Sequence, residues 1–371
     1  MITHALLMMR SHVLQSFTAR PDAEVPSSPW MGTFTESRPR TRYVLDFTLA
    51  DDASSAQVRH QYGFAHDRSA FVEEWLYRWP AHRRQILFER YADQKEPWYF
   101  GPSFHGPKAT LADQTRPNAL FLSAGAHHNH PLLTSIYRAF SSGIRPESEI
   151  ELRGFPLFHE PAAILAEERR SAVREVLRAF DLGCTGFRVQ PLEMRPPPGL
   201  FDMLRPEVAE RVRASMAENA DRKLYQIVLE RTAADGSVWT LPPEHESRGT
   251  QILLQRINDL LTVQEGLLII DELETSLHPD ICRAIIELFS TGAKNPSGRQ
   301  LLFATHNREL MDHLRKDSVV LVEKNLEGVS HLSTAADFRA IRKREQLSRL
   351  HARGRVGGVP VLGSLDSLAA G

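Results

Sequence analysis

Cysteine is scarce in this sequence. Two residues, Cys184 and Cys282, stand far apart in a chain of 371. They offer neither a disulfide framework nor a thiolate ligand pattern, and both read as small apolar fillers. Long hydrophobic runs are missing too: nothing approaches the roughly 20 residues needed to span a bilayer. The N-terminus has no cationic stretch followed by an apolar block, so no secretory signal is read there. Charge of one sign is also lacking. The formal net charge is −1, so no global basic field calls for nucleic acid. A cytoplasmic protein without a membrane partner is the expectation.

A last absence concerns glycine. No G-x-x-x-x-G-K-[ST] run, the loop whose N–H groups cradle phosphates, occurs in the sequence. The nearest stretch is GPSFHGPKAT at 101–110, with Gly101, Gly106 and Lys108. Pro107 stands before the lysine and removes an N–H from a loop that would need to donate it. A turn between two strands is the expectation there.

What is present centres on residues 266–306. Gly266 to Ile270 is an apolar run that reads as a strand buried on both faces of a parallel sheet. It ends in two carboxylates, Asp271 and Glu272. Pro279 then opens a helix, where its missing N–H costs nothing. Ile281, Ile285, Leu288 and Phe289 give that helix an apolar face. After a loop with Asn295, Pro296 and Gly298, a second apolar strand, Leu301 to Ala304, ends in Thr305 and His306. Strand, crossover helix and parallel strand form a right-handed βαβ unit. Both polar pairs then sit at the carboxyl edge of one sheet, where open α/β sheets bind ligands. Asp271 can hold a magnesium ion through water, since magnesium takes oxygen ligands and keeps several waters. Glu272 can orient or deprotonate an attacking water, and His306 can hydrogen-bond a terminal phosphate. The plainer reading is a polar strand end capping the next helix.

LLIIDELETSLHP followed by LLFATH resembles the Walker B strand, D-loop and switch histidine of ABC-type ATPases, a class that includes the SMC and DNA-repair ATPases. The closer resemblance is to prokaryotic "AAA family" ATPases of the abortive-infection and overcoming-lysogenisation-defect type. ESRGTQILLQRINDLL at 246–261 is similar to their signature segment. Further segments at 116–133, 314–338 and 353–362 are similar to other parts of them. The resemblance implies an α/β fold: a P-loop NTPase-like ABC ATPase core with a mostly parallel sheet, a flanking antiparallel sheet and an inserted helical arm. It implies ATP and magnesium as ligands, with Glu272 and His306 catalytic and Asp271 on the metal. Ser247, Gly249, Thr250 and His278 are then nucleotide contacts. A Ser and a Gly at a helix N-terminus offer N–H groups and a partial positive charge to an anion, although Ser247 also reads as a plain N-cap. In such ATPases the signature acts on nucleotide held by the other subunit, so a head-to-tail homodimer is implied, with Thr275 to His278 crossing its interface. A role in phage defence with a separate effector protein follows from the resemblance alone.

Three segments are expected. Residues 1–144 form the N-terminal part of the ATPase lobe, 145–225 a helical arm, and 226–371 the C-terminal lobe. Residues 2–18 read as a helix with Leu6, Met9, Val13 and Phe17 on one face. The resemblance makes it the helix after the missing loop, and the favoured reading is a start assigned too late, at an internal Met. A truncation and a degenerate ATPase that keeps the fold are the alternatives. Residues 42–50, 57–64, 71–79 and 85–91 read as strands of an antiparallel sheet. Trp75, Tyr77 and Trp79 suit the core of a meander more than an interaction surface. His127, His128 and His130 lack metal-ligand spacing, and a polar loop or helix start near the nucleotide is expected. Residues 162–180 and 206–222 read as helices of the arm and 223–241 as a hairpin. Residues 307–314 read as a short helix and Val319 to Val322 as the next parallel strand. From 339 to 355 there are seven Lys or Arg and one acidic residue, Glu345. That is a solvated helix face before it is a nucleic-acid contact. A nucleic-acid end-binding role would need a coiled-coil arm, and no sustained heptads occur. The main alternative to an ATPase subunit is a regulatory or binding module without a phosphate loop.

Overall fold

A computed structural model describes residues 2–27, 40–50, 56–147, 167–180, 182–192, 199, 201, 204, 208–210, 212–213, 224–242, 245–263, 265–290, 292, 295–338 and 346–358. The chain divides into two compact units: Met1–Arg145 with Asn307–Gly371, and Pro146–His306.

The first unit opens with α1 (Ile2–Gln15), which buries Met9 and Val13 of the expected stripe together with Thr3 and His12. An antiparallel sheet follows in the order β1 (Thr41–Ala50), β2 (Gln57–His66), β3 (Phe71–Trp79), β4 (Gln85–Tyr91) and β5 (Trp98–Phe100). The period-two alternation of Tyr43, Leu45 and Phe47 becomes a strict alternation of burial along β1. On one face of the sheet Tyr62, Phe64, Leu76 and Phe88 are fully buried. On the other, Trp75 and Tyr77 are buried as well, because Arg42 lies 5.0 Å over Trp75 and Arg84 4.0 Å over Tyr77. Arg59 covers Trp79 at 4.5 Å. The aromatic run is therefore shielded by arginines, each held by a carboxylate: Glu73, Glu89 and Asp46.

β5 was not expected from the sequence. It is only three residues long, too short for a period to show. After it, Gly101 passes so close to β4 that a Cβ would lie 1.8 Å from the Ile86 carbonyl oxygen. The stretch 101–110 does not connect two strands. It runs from β5 into α2 (Lys108–Asp113), and the Lys108 ammonium lies 5.9 Å over the Phe100 ring. α3 (Phe121–His127) and α4 (Pro131–Gly143) follow. His130 is the N-cap of α4, accepting from the Leu133 N–H, and its Nε2 lies 2.7 Å from the His105 carbonyl. Glu74 ties sheet to helix. Fully buried, it accepts from Tyr62 Oη at 2.9 Å and from the Phe121 and Leu122 N–H groups at 2.7 and 3.0 Å. Burial pushes its carboxyl up, while Arg90 and these donors pull it back.

The second unit is entered through β6 (Ile144–Pro146). The arm 145–225 lies largely outside the described residues. Within it are α5 (Glu167–Ala179) and β7 (Gly186–Leu192). The hairpin expected at 223–241 is present as β8 (Leu224–Thr232) and β9 (Val238–Leu241), and β7 adds a third strand in the order β7-β8-β9. Val173, Leu177, Phe187 and Leu229 from these elements share a core with Leu253, Leu254 and Ile257 of α6 (Arg248–Thr262). The central run becomes β10 (Leu267–Ile270), then α7 (Pro279–Ser290), then β11 (Gln300–Phe303). β10 and β11 pair in parallel with Ile270 opposite Phe303, in the sheet order β11-β10-β6. α7 buries Cys282, Ile285 and Ile286, a stripe shifted by about one residue from the expected face.

The chain then returns to the first unit. The short helix expected at 307–314 is present as a 3-10 helix, Arg308–His313. β12 (Val320–Lys324) is not a further parallel strand: it pairs antiparallel with β13 (Ser330–Thr334). The reason is local. Asn325 accepts from the Glu327 and Val329 N–H groups, and Gly328 takes a positive φ of 81°, so a tight turn closes this pairing first. α8 (Leu347–Ala352) packs Leu347 and Leu350 against Leu321 and Val356. The architecture is thus mixed α/β, a parallel sheet accompanied by separate antiparallel sheets.

Candidate functional site

The candidate catalytic, metal and nucleotide residues, Asp271, Glu272, His306, Ser247, Gly249, Thr250 and His278, all fall in the second unit. β10 and β11 stop in register, so the residues after them emerge side by side. Asp271 and Glu272 are exposed, as is His306. The His306 Nε2 lies 4.0 Å from the Glu272 carboxylate. Glu272 takes a left-handed backbone, φ 50°, which turns the chain sharply off the strand, and Thr275 Oγ1 donates to its carboxylate at 3.1 Å. The loop folds back on the neighbouring strand through the Leu273 N–H, which donates to the Ala304 carbonyl.

Glu274 then accepts from the His306 N–H at 2.5 Å, so the loop after β10 fixes the backbone of the histidine after β11. His278 stands at the start of α7. Its Nδ1 accepts from the Asp280 N–H at 3.2 Å and its carbonyl accepts from the Cys282 N–H. Cys282 is buried behind this loop, and burial, reinforced by Glu274, pushes its thiol up to about 11. It is a core residue and not a nucleophile.

The first turn of α6 approaches the same loop. Ser247 is its N-cap, accepting from the Thr250 N–H at 3.2 Å, with Thr250 Oγ1 2.9 Å away. The remaining N–H groups of a first turn have no acceptor within the helix. A Cβ at Gly249 would lie 2.8 Å from the Ser276 carbonyl oxygen, so only glycine permits this approach. The entry to α6 is held from behind: Arg231 forms a two-pronged ion pair with buried Glu246 at 2.6 and 2.9 Å. At the other end of α6, Arg299 donates to the carbonyls of Leu260 and Val263 and is itself fixed by Asn295.

The structure thus brings Asp271, Glu272 and His306 to one edge, sets His278 at the next helix start, and lays Gly249 against the connecting loop. Three residues escaped the sequence reading: Glu147, Glu274 and Arg256. Glu274 stands in the DELETS run, but its partner is 32 positions away. The chemistry available is that of hard oxygen donors beside a helix N-terminus. Exposed carboxylate oxygens on Asp271 and Glu272 suit magnesium, which needs only one or two protein carboxylates when phosphates and water complete its shell. Among the described residues, no group of three or more His, Cys, Asp or Glu could enclose a metal alone.

This fold and edge define a P-loop NTPase-like, nucleotide-binding domain of the ATPase type. The family model described as "AAA domain, putative AbiEii toxin, Type IV TA system" matches residues 38–312, and the chain belongs to that family. No curated protein matches the sequence. Among solved structures, the crystal structure of the SmcHead bound to the C-winged helix domain of ScpA is similar at 11% identity. It covers 77% of this chain and 76% of that one with a TM-score of 0.28, too distant a likeness to place any residue. Among the described residues, no helix is long and apolar enough to cross a membrane.

Proposed function

We propose that this chain is an ATP-binding and hydrolysing subunit that works as a head-to-tail pair. It would act as a switch for a separate effector in phage defence. The observation that supports it most is the joint emergence of Asp271, Glu272 and His306 at one exposed sheet edge. Asp271 and the phosphates would hold magnesium, which supplies charge neutralisation on the triphosphate. Glu272 orients the attacking water and accepts its proton. His306, its backbone fixed by Glu274, donates to the terminal phosphate. Ser247, Gly249 and Thr250 present the N-terminus of α6 to phosphate held by the partner subunit, and His278 lies in the loop that crosses between the two. The family description supports a place among toxin–antitoxin or abortive-infection systems.

The test is ATP turnover by the full chain with magnesium, compared with Glu272→Gln. Turnover should fall by about a hundredfold or more, as for loss of a water-positioning group, while ATP binding persists. The same variant should form ATP-dependent dimers by light scattering. Unchanged hydrolysis defeats the assignment. The second reading is a regulatory module that binds nucleotide without turning it over. Binding of ATP by the wild-type chain without turnover supports that reading.

A further inference from the structure

Glu147 was invisible in the sequence, yet it touches both halves of the site. It follows β6, and its N–H donates to the Ile269 carbonyl at 2.7 Å, which docks it on β10. Its carboxylate is divided between two tasks. One oxygen accepts from the Asp271 N–H at 3.2 Å, the other pairs with Arg256 at 2.5 Å. Asp271 lies just past the last paired residue of β10, so its N–H has left the strand ladder. Glu147 therefore holds the backbone from which the Asp271 side chain leaves the sheet.

Arg256 belongs to α6, nine residues on from the Ser247 cap, or about 13 Å along the helix axis. Its side chain is only 6% exposed. A second carboxylate, buried Asp259, already lies 3.3 Å from the guanidinium. Neutralising Arg256 therefore does not require Glu147. The bond to Glu147 does something further: it fixes α6 to the end of β10. Gly249 makes a second fixed approach, at Ser276. Helix α6 thus meets the loop at its first turn and the strand end at its middle.

We propose that Glu147 and Arg256 form a positioning brace that couples the anion-facing end of α6 to the direction of the Asp271 carboxylate. The proposal rests on the nucleotide-site reading above. Neither residue touches the nucleotide; Glu147 acts through Asp271 and Arg256 through the helix. A shift of α6 when its first turn meets phosphate would pull on the Asp271 amide, so occupancy at one end is felt at the other.

The test uses the full chain and two variants. Glu147→Ala removes both bonds. Glu147→Gln keeps an oxygen for the Asp271 N–H and loses the ion pair. Hydrogen–deuterium exchange is measured without nucleotide over 246–252 and over 267–275. The Ala variant should exchange at least about tenfold faster in both segments, while the Gln variant loosens 246–252 and keeps 267–275 protected. With magnesium–ATP, the Ala variant should need about tenfold more magnesium for half-maximal turnover, the size typical of groups that orient a metal ligand, and the Gln variant about the wild-type amount. Exchange in the Ala variant that is unchanged, or faster only beside residue 147, overturns the brace. So does an equal magnesium requirement in both variants. If the Ala variant fails to fold, Arg256→Lys replaces it, with faster exchange over 246–252 expected and wild-type exchange overturning the proposal. If the wild-type chain turns over no ATP, the hydrolytic reading falls, and the exchange measurement still decides the brace by itself.

Discussion

At Gly249 a single methyl group is enough to matter. The Cβ of an alanine would sit 2.8 Å from the backbone oxygen of Ser276, and backbone cannot swing aside as a side chain would. Ser276 is already left-handed at φ 57°, as is Glu272 at φ 50°, conformations that cost non-glycine residues about 1–2 kcal/mol each. Gly249→Ala should therefore destabilise the protein by about 1–3 kcal/mol. It should also speed hydrogen exchange in both 246–252 and 272–278; wild-type exchange in both would contradict the tight approach. At this scale the sequence was partly legible. Asp271, Glu272 and His306 were readable because each follows an apolar strand that must end somewhere. Glu147 and Glu274 were not, since their partners stand 124 and 32 positions away and only the folded sheet brings them near.

Elements follow the same logic. α7 was visible from its proline and its apolar spacing, but its buried stripe is Cys282, Ile285 and Ile286, because packing selects among neighbouring apolar positions that periodicity alone leaves equivalent. Its N-terminus is capped by the His278 side chain. His278→Ala should cost about 1 kcal/mol in a thermal melt while His278→Asp restores it, as for any capping residue. If ATP affinity falls in the Ala variant and is not restored with the cap, His278 touches the nucleotide in its own right. In the first unit, Glu74 joins β3 to the start of α3. Glu74→Ala leaves Arg90 buried without its carboxylate and strands two N–H groups, so unfolding free energy in urea should drop by about 3–5 kcal/mol. A loss below 1 kcal/mol would mean that water replaces the carboxylate. No pattern in the sequence marks Glu74, since a carboxylate in the middle of an apolar strand reads as a solvent-facing residue. β5 and β7 were hidden for different reasons: β5 is too short, and the alternation Phe187-Arg188-Val189-Gln190 of β7 is brief, ends at Pro191 and lies within a segment read as a helical arm.

Across the whole molecule, pH is the simplest probe. His12 and His66 are buried with ring centres 4.7 Å apart, among Tyr43, Phe64 and Phe71. Burial first, and His66 second, lower His12 from 6.5 to about 4; burial also lowers His66. The unfolded chain then binds protons below pH 6.5 that the folded chain refuses. The stability due to a neutral His12 is complete above 6.5 and is lost as pH falls toward 4, by about 3 kcal/mol at most. His12→Phe should flatten that acid decline in urea melts between pH 7 and 4, and an unchanged slope would place the proton uptake elsewhere.

The first unit is written in two pieces, with the whole of Pro146–His306 between them. A ribosome therefore delivers the five-stranded sheet early, then the edge at the ends of β10 and β11, and last the β12–β13 hairpin and the cluster around Leu321 and Leu350. For as long as that middle passage is being made, the early sheet waits without the segment that completes its unit. The order of birth thus sets the making of the whole second unit between the two parts of the first. Limited proteolysis of a chain stopped at His306 measures how well the early part holds without the last segment of its unit.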